Sequence, residues 1–304
     1  HWRLKTIDHL IEISPKTRVA VVQGNIDQAV KWDPAFQIDT VKKYNRLSAS
    51  ITKQRPNLIV WPESATPFYF LYDIKPTELV FEGIRQTTAD YLIGSPSFTQ
   101  TGDVVRYFNS AYLISPLTKQ MSKYDKTHLV PFGEYVPLKK WLPFLGKMVA
   151  QVGDFKAGLE GKTLLWKTEQ VGVQICYEII FPGLSRDMAK NNASLLSNIT
   201  NDAWFGKTSG PYQHFSMTVF RAVENRRALV RSANTGISGF IDPAGRVLDS
   251  TPLLQDAVLA RSIPLLKTKT VYTRIGDLFA QVCFAAALIV VLLEISKFAL
   301  NFRR

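Results

Sequence analysis

Cysteine and histidine are both scarce in these 304 residues: Cys176 and Cys283 are the two thiols, and His1, His9, His128 and His214 are the four imidazoles. Two cysteines in unlike surroundings make no disulfide framework, and no cysteine cluster, HxH or HExxH pattern offers metal-ligand spacing. No metal and no cofactor is expected. Zinc-finger spacing, an RNP-like aromatic motif and an arginine-rich arm are missing too, so the formal charge of +12 does not read as a nucleic-acid footprint. The same charge suits anionic lipid or a soluble surface, and does not choose between them. The chain has no short apolar leader with a small-residue cleavage site and opens on His1 rather than Met, so its start reads as that of a fragment or a processed protein. What is present in quantity is apolar material: at 46% hydrophobic residues the chain can bury one large core or two ordinary ones, which excludes disorder.

Residues 18–25 (RVAVVQGN) read as a buried strand, residues 36–53 carry apolar side chains at helical spacing, and residues 58–61 (LIVW) form a second apolar run. The pattern recurs, with a helix within 76–90, strands at 91–95, 111–115 and 171–176 (VGVQIC), a helix from about residue 183, a strand through 195–198 and a helix over 211–226. Residues 228–249 are strand-like, with Asp242-Pro243-Ala244-Gly245 as the turn of a hairpin. Alternation of strands and helices predicts an α/β layered fold. Residues 278–293 (LFAQVCFAAALIVVLL) carry no charge. As a helix this run is about 24 Å long, and extension past Glu294 to Leu300 supplies the ~30 Å of a hydrocarbon core. A buried core helix has the same composition. A membrane span fits the position better, because a whole α/β domain precedes it and only Asn301, Phe302, Arg303 and Arg304 follow. Lys297, Arg303 and Arg304 on one side balance Lys267, Lys269 and Arg274 on the other, so local charge leaves the orientation open.

Three stretches each place a reactive group at the end of an apolar run: Glu63 in LIVWPES, Lys126 in SKYDKTHLVPFGEY and Cys176 in VGVQICYEIIFP. Singly, each has an ordinary explanation as a capping glutamate, a surface lysine or a core cysteine. Together they are chemically complete. A thiol with a free pKa near ~8.5 is mostly protonated at neutral pH and needs a base or a cation beside it. Glu63 can take the proton, and the Lys126 ammonium can stabilise both a thiolate and the oxyanion formed when the thiol attacks a carbonyl.

The ordered set resembles the Glu-Lys-Cys signature of the nitrilase, or carbon-nitrogen hydrolase, superfamily. More narrowly it resembles the apolipoprotein N-acyltransferases, which complete bacterial lipoprotein maturation. The likeness runs from about Arg18 to the C-terminal helix through GNIDQAVKW, KTHLVPFGEYVP, ICYEIIFP, SNITNDAWFG and PYQHFSMTVFRAVENRRALVRSANTGISGFIDPAGRV. It implies a nitrilase-like four-layer α-β-β-α sandwich over residues 18–265, followed by one C-terminal transmembrane helix at 275–300. It implies Cys176 as acyl-thioester nucleophile, Glu63 as general base and Lys126 as oxyanion stabiliser. Glu134 matches an additional glutamate that positions Lys126 and substrate. Tyr177 and Glu178 match the CYE motif, and Trp32 resembles a tryptophan ahead of the first glutamate. The family carries membrane helices ahead of its catalytic domain, so residues 1–17 are read as a linker from a missing upstream membrane region.

The partners the resemblance implies are a phospholipid acyl donor, a diacylglyceryl apolipoprotein acceptor and the membrane. The implied location is the bacterial inner membrane with the catalytic domain facing the periplasm, the Arg303-Arg304 tail then lying in the cytoplasm. The chemistry expected is a two-step, ping-pong transfer of an acyl chain to the N-terminal α-amine of the lipid-modified cysteine. The alternative is a soluble amidase or nitrilase hydrolysing C–N bonds with the same triad, and a membrane-anchored binding protein is a third reading, opposed by retention of all three reactive residues. The discriminating features are the apolar C-terminal run and two apolar stretches, residues 67–72 (PFYFLY) and 141–149 (WLPFLGKMV). These suit either arms that touch lipid or packing into the core or a subunit contact.

Overall fold

Strand residues point alternately to opposite faces, and in the first strands of this chain both faces are apolar. The computed structural model describes residues 2–135, 137 and 154–301. In chain order its first half contains α1 (Trp2–Ile13), β1 (Lys16–Gln23), α2 (Gln28–Lys31), α3 (Gln37–Ser50), β2 (Leu58–Val60), α4 (Ile74–Arg85), β3 (Asp90–Thr101), β4 (Val104–Ser115) and β5 (Gln120–Asp125). The second contains β6 (Thr163–Trp166), β7 (Glu169–Ile175), α5 (Pro182–Lys190), β8 (Ala193–Thr200), α6 (Gly210–Asn225), β9 (Ala228–Ala233), β10 (Gly239–Ile241), β11 (Val247–Ser250), β12 (Ala257–Pro264), α7 (Val271–Ile275) and α8 (Leu278–Asn301).

The strands form two six-stranded sheets, in the orders β12-β1-β2-β3-β4-β5 and β11-β10-β9-β8-β7-β6. Each has a parallel centre, β1-β2-β3 in one and β7-β8-β9 in the other, with antiparallel strands at its edges. Val19, Val21, Leu58 and Val60 face the other sheet and pack with Val171, Val173, Leu195 and Leu229. Their neighbours in sequence, Ala20, Val22, Ile59 and Trp61, point the other way, onto Val41 and Tyr44 of α3 and Val80 and Ile84 of α4. Met188 of α5 and Ala222 of α6 cover the outside of the second sheet. The result is the four-layer α-β-β-α sandwich, held by side chains each worth ~1.5–3 kcal/mol on burial.

Residues 1–17, expected as a linker, contain α1. Three further strands lie outside the sequence reading: β5 and β6 at sheet edges, and β12, which returns to the first sheet and pairs with β1 from Lys16↔Pro264 to Gln23↔Ala257. The hairpin at 242–245 is present, with β10 and β11 antiparallel and Gly245 at φ 88°. Helix α8 packs none of its 21-residue apolar window, Leu278–Phe298, into the body. The window is long and apolar enough to cross a membrane, and the structure does not bury it as a core helix. Of the two apolar stretches, 67–72 divides: Phe68 and Phe70 are core, while Leu71 and Tyr72 are exposed. Residues 141–149 lie outside the described residues.

Candidate active site

Each of the three reactive residues stands just past the C-terminal end of a strand, Glu63 after β2, Lys126 after β5 and Cys176 after β7. Strand ends are where an α/β layer can leave its ladder and present a side chain. Two of these ends are bent through the left-handed backbone region that L-residues avoid, at Ser64 (φ 48°) and at Cys176 itself (φ 54°). Such conformations cost ~1–3 kcal/mol each and persist only when neighbours hold them. At the Glu63 turn the neighbour is β3, which passes so close that a Cβ on Gly94 would lie 2.4 Å from the Pro62 carbonyl oxygen and 2.7 Å from Glu63 Cα.

The Glu63 carboxylate is buried and held at both oxygens: Asn109 Nδ2 donates to Oε1 at 2.8 Å and the Asn201 backbone N–H to Oε2 at 2.9 Å. Asn109 uses its other amide hydrogen on Glu134 Oε1 at 2.9 Å, so one side chain spaces the two carboxylates. Glu134 Oε2 meets the buried Lys126 ammonium at 2.8 Å and accepts from the Val130 N–H at 2.9 Å. Lys126 is therefore fixed by an ion pair from one side and by its own backbone, whose N–H donates to the Asn109 carbonyl at 2.8 Å, from the other.

Glu178 is fully buried and acts on the backbone around the site. Its carboxylate accepts from the N–H groups of Thr127 (2.6 Å), His128 (3.0 Å) and Ile175 (2.7 Å) and from the Tyr124 and Thr127 hydroxyls. One anion thus ties the segment after Lys126 to the strand end that carries Cys176. Tyr177 and Trp32 are placed differently: both are exposed, at 40% and 48% of their surfaces, on the rim rather than in the buried cluster. Among the expected site residues, the structure brings Glu63, Lys126, Glu134, Glu178 and the half-buried Cys176 together and leaves Tyr177 and Trp32 at the surface.

Burial pushes the Cys176 thiol up to about 12, with the charge of Glu63 adding to the effect and that of Lys126 opposing it. For Lys126, burial favours the neutral amine, yet the negative charge of Cys176 once it is ionised, and of Glu63 and Glu134, outweighs it and holds the ammonium above the ordinary lysine value. The resting site pairs a neutral thiol with a permanent cation. Such a thiol can add to a carbonyl when its proton passes to a carboxylate, and the charge developing on oxygen then meets the ammonium.

Residues 18–272 match the carbon-nitrogen hydrolase family. The chain belongs to that family. Relatives of this carbon-nitrogen hydrolase chain include an apolipoprotein N-acyltransferase of Geobacter metallireducens, 48% identical over 297 residues that make up 97% of this chain and 56% of that protein. Another, from Chlorobaculum tepidum, is 34% identical over 298 residues, 90% of this chain and 56% of that protein. The chain spans about half the length of the curated relatives it matches. Among solved structures, Saccharomyces cerevisiae Nit3 of the nitrilase superfamily aligns with a TM-score of 0.62 at 17% identity, over 82% of this chain and 90% of that one. An amidase from Nesterenkonia sp. AN1, with acrylamide added at its active-site cysteine, aligns with a TM-score of 0.61 at 18% identity, over 88% and 99%. At these identities the likeness is one of fold.

Several residues of this carbon-nitrogen hydrolase site do not stand out in the sequence. Lys31 of α2 is buried and donates to the Glu63 carbonyl oxygen at 3.1 Å. Asn109 and Asn201 hold Glu63, and Asn198, Asp202, His214 and Arg231 lie buried beneath Cys176. The signal that could have found them is polarity inside otherwise apolar elements, as in β8 (ASLLSNIT) and β9 (ALVRSA).

Proposed function

We propose that the chain carries the catalytic domain, residues 18–265, and a membrane-crossing helix at 275–300 of an enzyme that N-acylates lipoproteins. The observation that carries the reading is the joint placement of a buried Glu63, a buried Lys126–Glu134 pair and Cys176 in a chain that also presents an unburied apolar helix. The acyltransferase names of the relatives support the same choice. In the first half-reaction the Cys176 thiol attacks the ester carbonyl of a phospholipid acyl chain. The S–C bond forms as the thiol proton passes to Glu63, Lys126 faces the oxyanion, and the C–O bond breaks to release a lysophospholipid that takes the proton back. In the second, the α-amine of a diacylglyceryl cysteine attacks the thioester. Glu63 takes the amine proton, the C–S bond breaks, and the proton returns to the Cys176 sulfur as the amide leaves.

In this reading Glu134 and Glu178 position Lys126 and the nucleophile turn. Trp32 and Tyr177, on the rim, are placed to meet substrate. The partners are phospholipid, the diacylglyceryl apolipoprotein and the bilayer, and the location is the bacterial inner membrane with the catalytic domain on the periplasmic face.

The test is the covalent intermediate. Incubated with phospholipid in detergent, the protein gains the mass of one acyl chain, removable by hydroxylamine. Cys176→Ala abolishes the adduct and Cys283→Ala keeps it. Glu63→Gln and Lys126→Ala each slow its formation by about a hundredfold or more. An adduct that survives Cys176→Ala, or a near-normal rate in Lys126→Ala, overturns the assignment.

A further inference from the structure

The Cys176 carbonyl oxygen points into the protein, where it meets two donors: His214 Nε2 at 3.2 Å and Asn198 Nδ2 at 3.3 Å. Both donors are fully or nearly fully buried, and each belongs to a side chain that has an acceptor face as well as a donor face. Arg231 decides which face is presented. Its guanidinium, buried on β9, donates through Nη1 to Asn198 Oδ1 and through Nη2 to His214 Nδ1 at 2.9 Å and to Asp202 Oδ2 at 2.8 Å. An arginine only donates and does not lose its proton. Asn198 must therefore offer Oδ1 to Arg231 and its NH2 to the Cys176 carbonyl. His214 Nε2 donates to the same carbonyl when it carries a hydrogen, and Nδ1 stands 2.9 Å from both Arg231 Nη2 and Asp202 Oδ1. The Asp202 contact would be an ion pair with an imidazolium. Burial first, and then the adjacent Arg231 charge, depress the His214 pKa, with the hydrogen bond and charge of Asp202 opposing them, and Asp202 also pairs with Arg231 and accepts from the Thr200 hydroxyl at 3.0 Å.

We infer that His214 and Asn198, polarised by Arg231, are positioning residues that clamp the Cys176–Tyr177 peptide and so aim the Tyr177 N–H at the oxyanion. In a planar trans peptide the C=O and the following N–H point in opposite directions. A carbonyl anchored inward sends the Tyr177 N–H outward, toward the side where the Tyr177 ring is exposed. Cys176 opens the 3-10 helix Cys176–Ile180, and the first N–H groups of a helix have no partner within it. Among the described residues this outward N–H has no backbone acceptor, and it can donate to a developing oxyanion alongside Lys126. The clamp also opposes relaxation of the left-handed Cys176 backbone, φ 54°.

This inference rests on acyl transfer at Cys176, and its test separates the two. Acylation of the thiol by an ester builds an oxyanion; alkylation of the same thiol by iodoacetamide displaces iodide and builds none. His214→Leu removes one clamp donor, and acyl-enzyme formation falls about tenfold or more in kcat with KM little changed, while alkylation of Cys176 stays within about twofold of wild type. His214→Gln, whose amide N–H can reach the place of Nε2, recovers most of the acylation rate. Asn198→Asp, which turns a donor into an acceptor, reproduces the selective loss. Equal losses in alkylation and acylation with no rescue by glutamine overturn the clamp, as does a wild-type acylation rate in His214→Leu. A wild-type protein that alkylates but forms no acyl adduct overturns the acyl-transfer reading and the clamp with it, and is recognised before any variant is compared.

Discussion

Lys31 lies in a helix of one turn, yet its ammonium is buried and its hydrogen bond to the Glu63 carbonyl fixes the main chain of the candidate base. Taking that ammonium out of water lowers its pKa to about 8, against the pull of the Glu63 and Cys176 charges. An amine that holds its proton less tightly when folded than when unfolded destabilises the native state fully at pH values below about 8, and the penalty is relieved as pH rises from there to the ordinary lysine range. Lys31→Met removes the titration. Between pH 7 and pH 10 the stability difference between variant and wild type accordingly drifts toward the wild type, by roughly 2 kcal/mol for a group lowered from 10.5 to about 8. Urea unfolding midpoints at the two pH values measure the drift, and parallel behaviour of the two proteins rules the effect out. Acyl-adduct formation falls in the variant at both pH values, because the Glu63 main chain has lost its anchor.

Among the described elements, α8 differs from the other helices in presenting apolar side chains all round to the outside of the protein. At 24 residues it is about 36 Å long, enough for the ~30 Å hydrocarbon core with some tilt. Glu294 and Lys297 pair at 2.7 Å near its end, where long side chains reach the interface. Cys283, a free thiol on its exposed surface, reports the environment of its first half. A thiol inside hydrocarbon is out of reach of a charged, water-borne reagent. In a Cys176→Ala background, Cys283 resists a membrane-impermeant maleimide in both intact and opened membranes and reacts once the protein is unfolded in SDS. Rapid labelling in membranes excludes the spanning assignment for this helix.

At the scale of the whole molecule, the sandwich is shared with an amidase, and both the proposed acyltransferase and a hydrolase pass through an acyl-cysteine. What separates them is the fate of that intermediate. In the proposed acyltransferase, exclusion of water from the thioester makes it long-lived until an amine arrives. Adding a diacylglyceryl peptide with a free N-terminal cysteine discharges it and yields the N-acyl peptide, followed by intact mass over time. Rapid hydrolysis that the peptide does not affect, together with turnover of simple amides, makes the protein a hydrolase and leaves the fold and the cysteine chemistry standing.

Glu63 and Cys176 are legible in one dimension because each ends an apolar run, Lys126 through the SKYDKTHLVPFGEY stretch around it, and the layered fold because strand and helix periodicities alternate along the chain. Edge strands such as β5 and β12 escape that reading, since their half-exposed faces dilute the apolar signal. Glu178 is visible beside the nucleophile, but its hold on Thr127 and His128 spans 51 and 50 positions. The clamp on Cys176 escapes it for a related reason. Asn198 and His214 look like ordinary polar residues of a strand and a helix, and Arg231 like any arginine between a valine and a serine. Periodicity reports which face of an element is apolar. It carries no information on which buried polar atoms from different elements will meet, and that is decided only when two sheets close on each other and each donor must find an acceptor away from water.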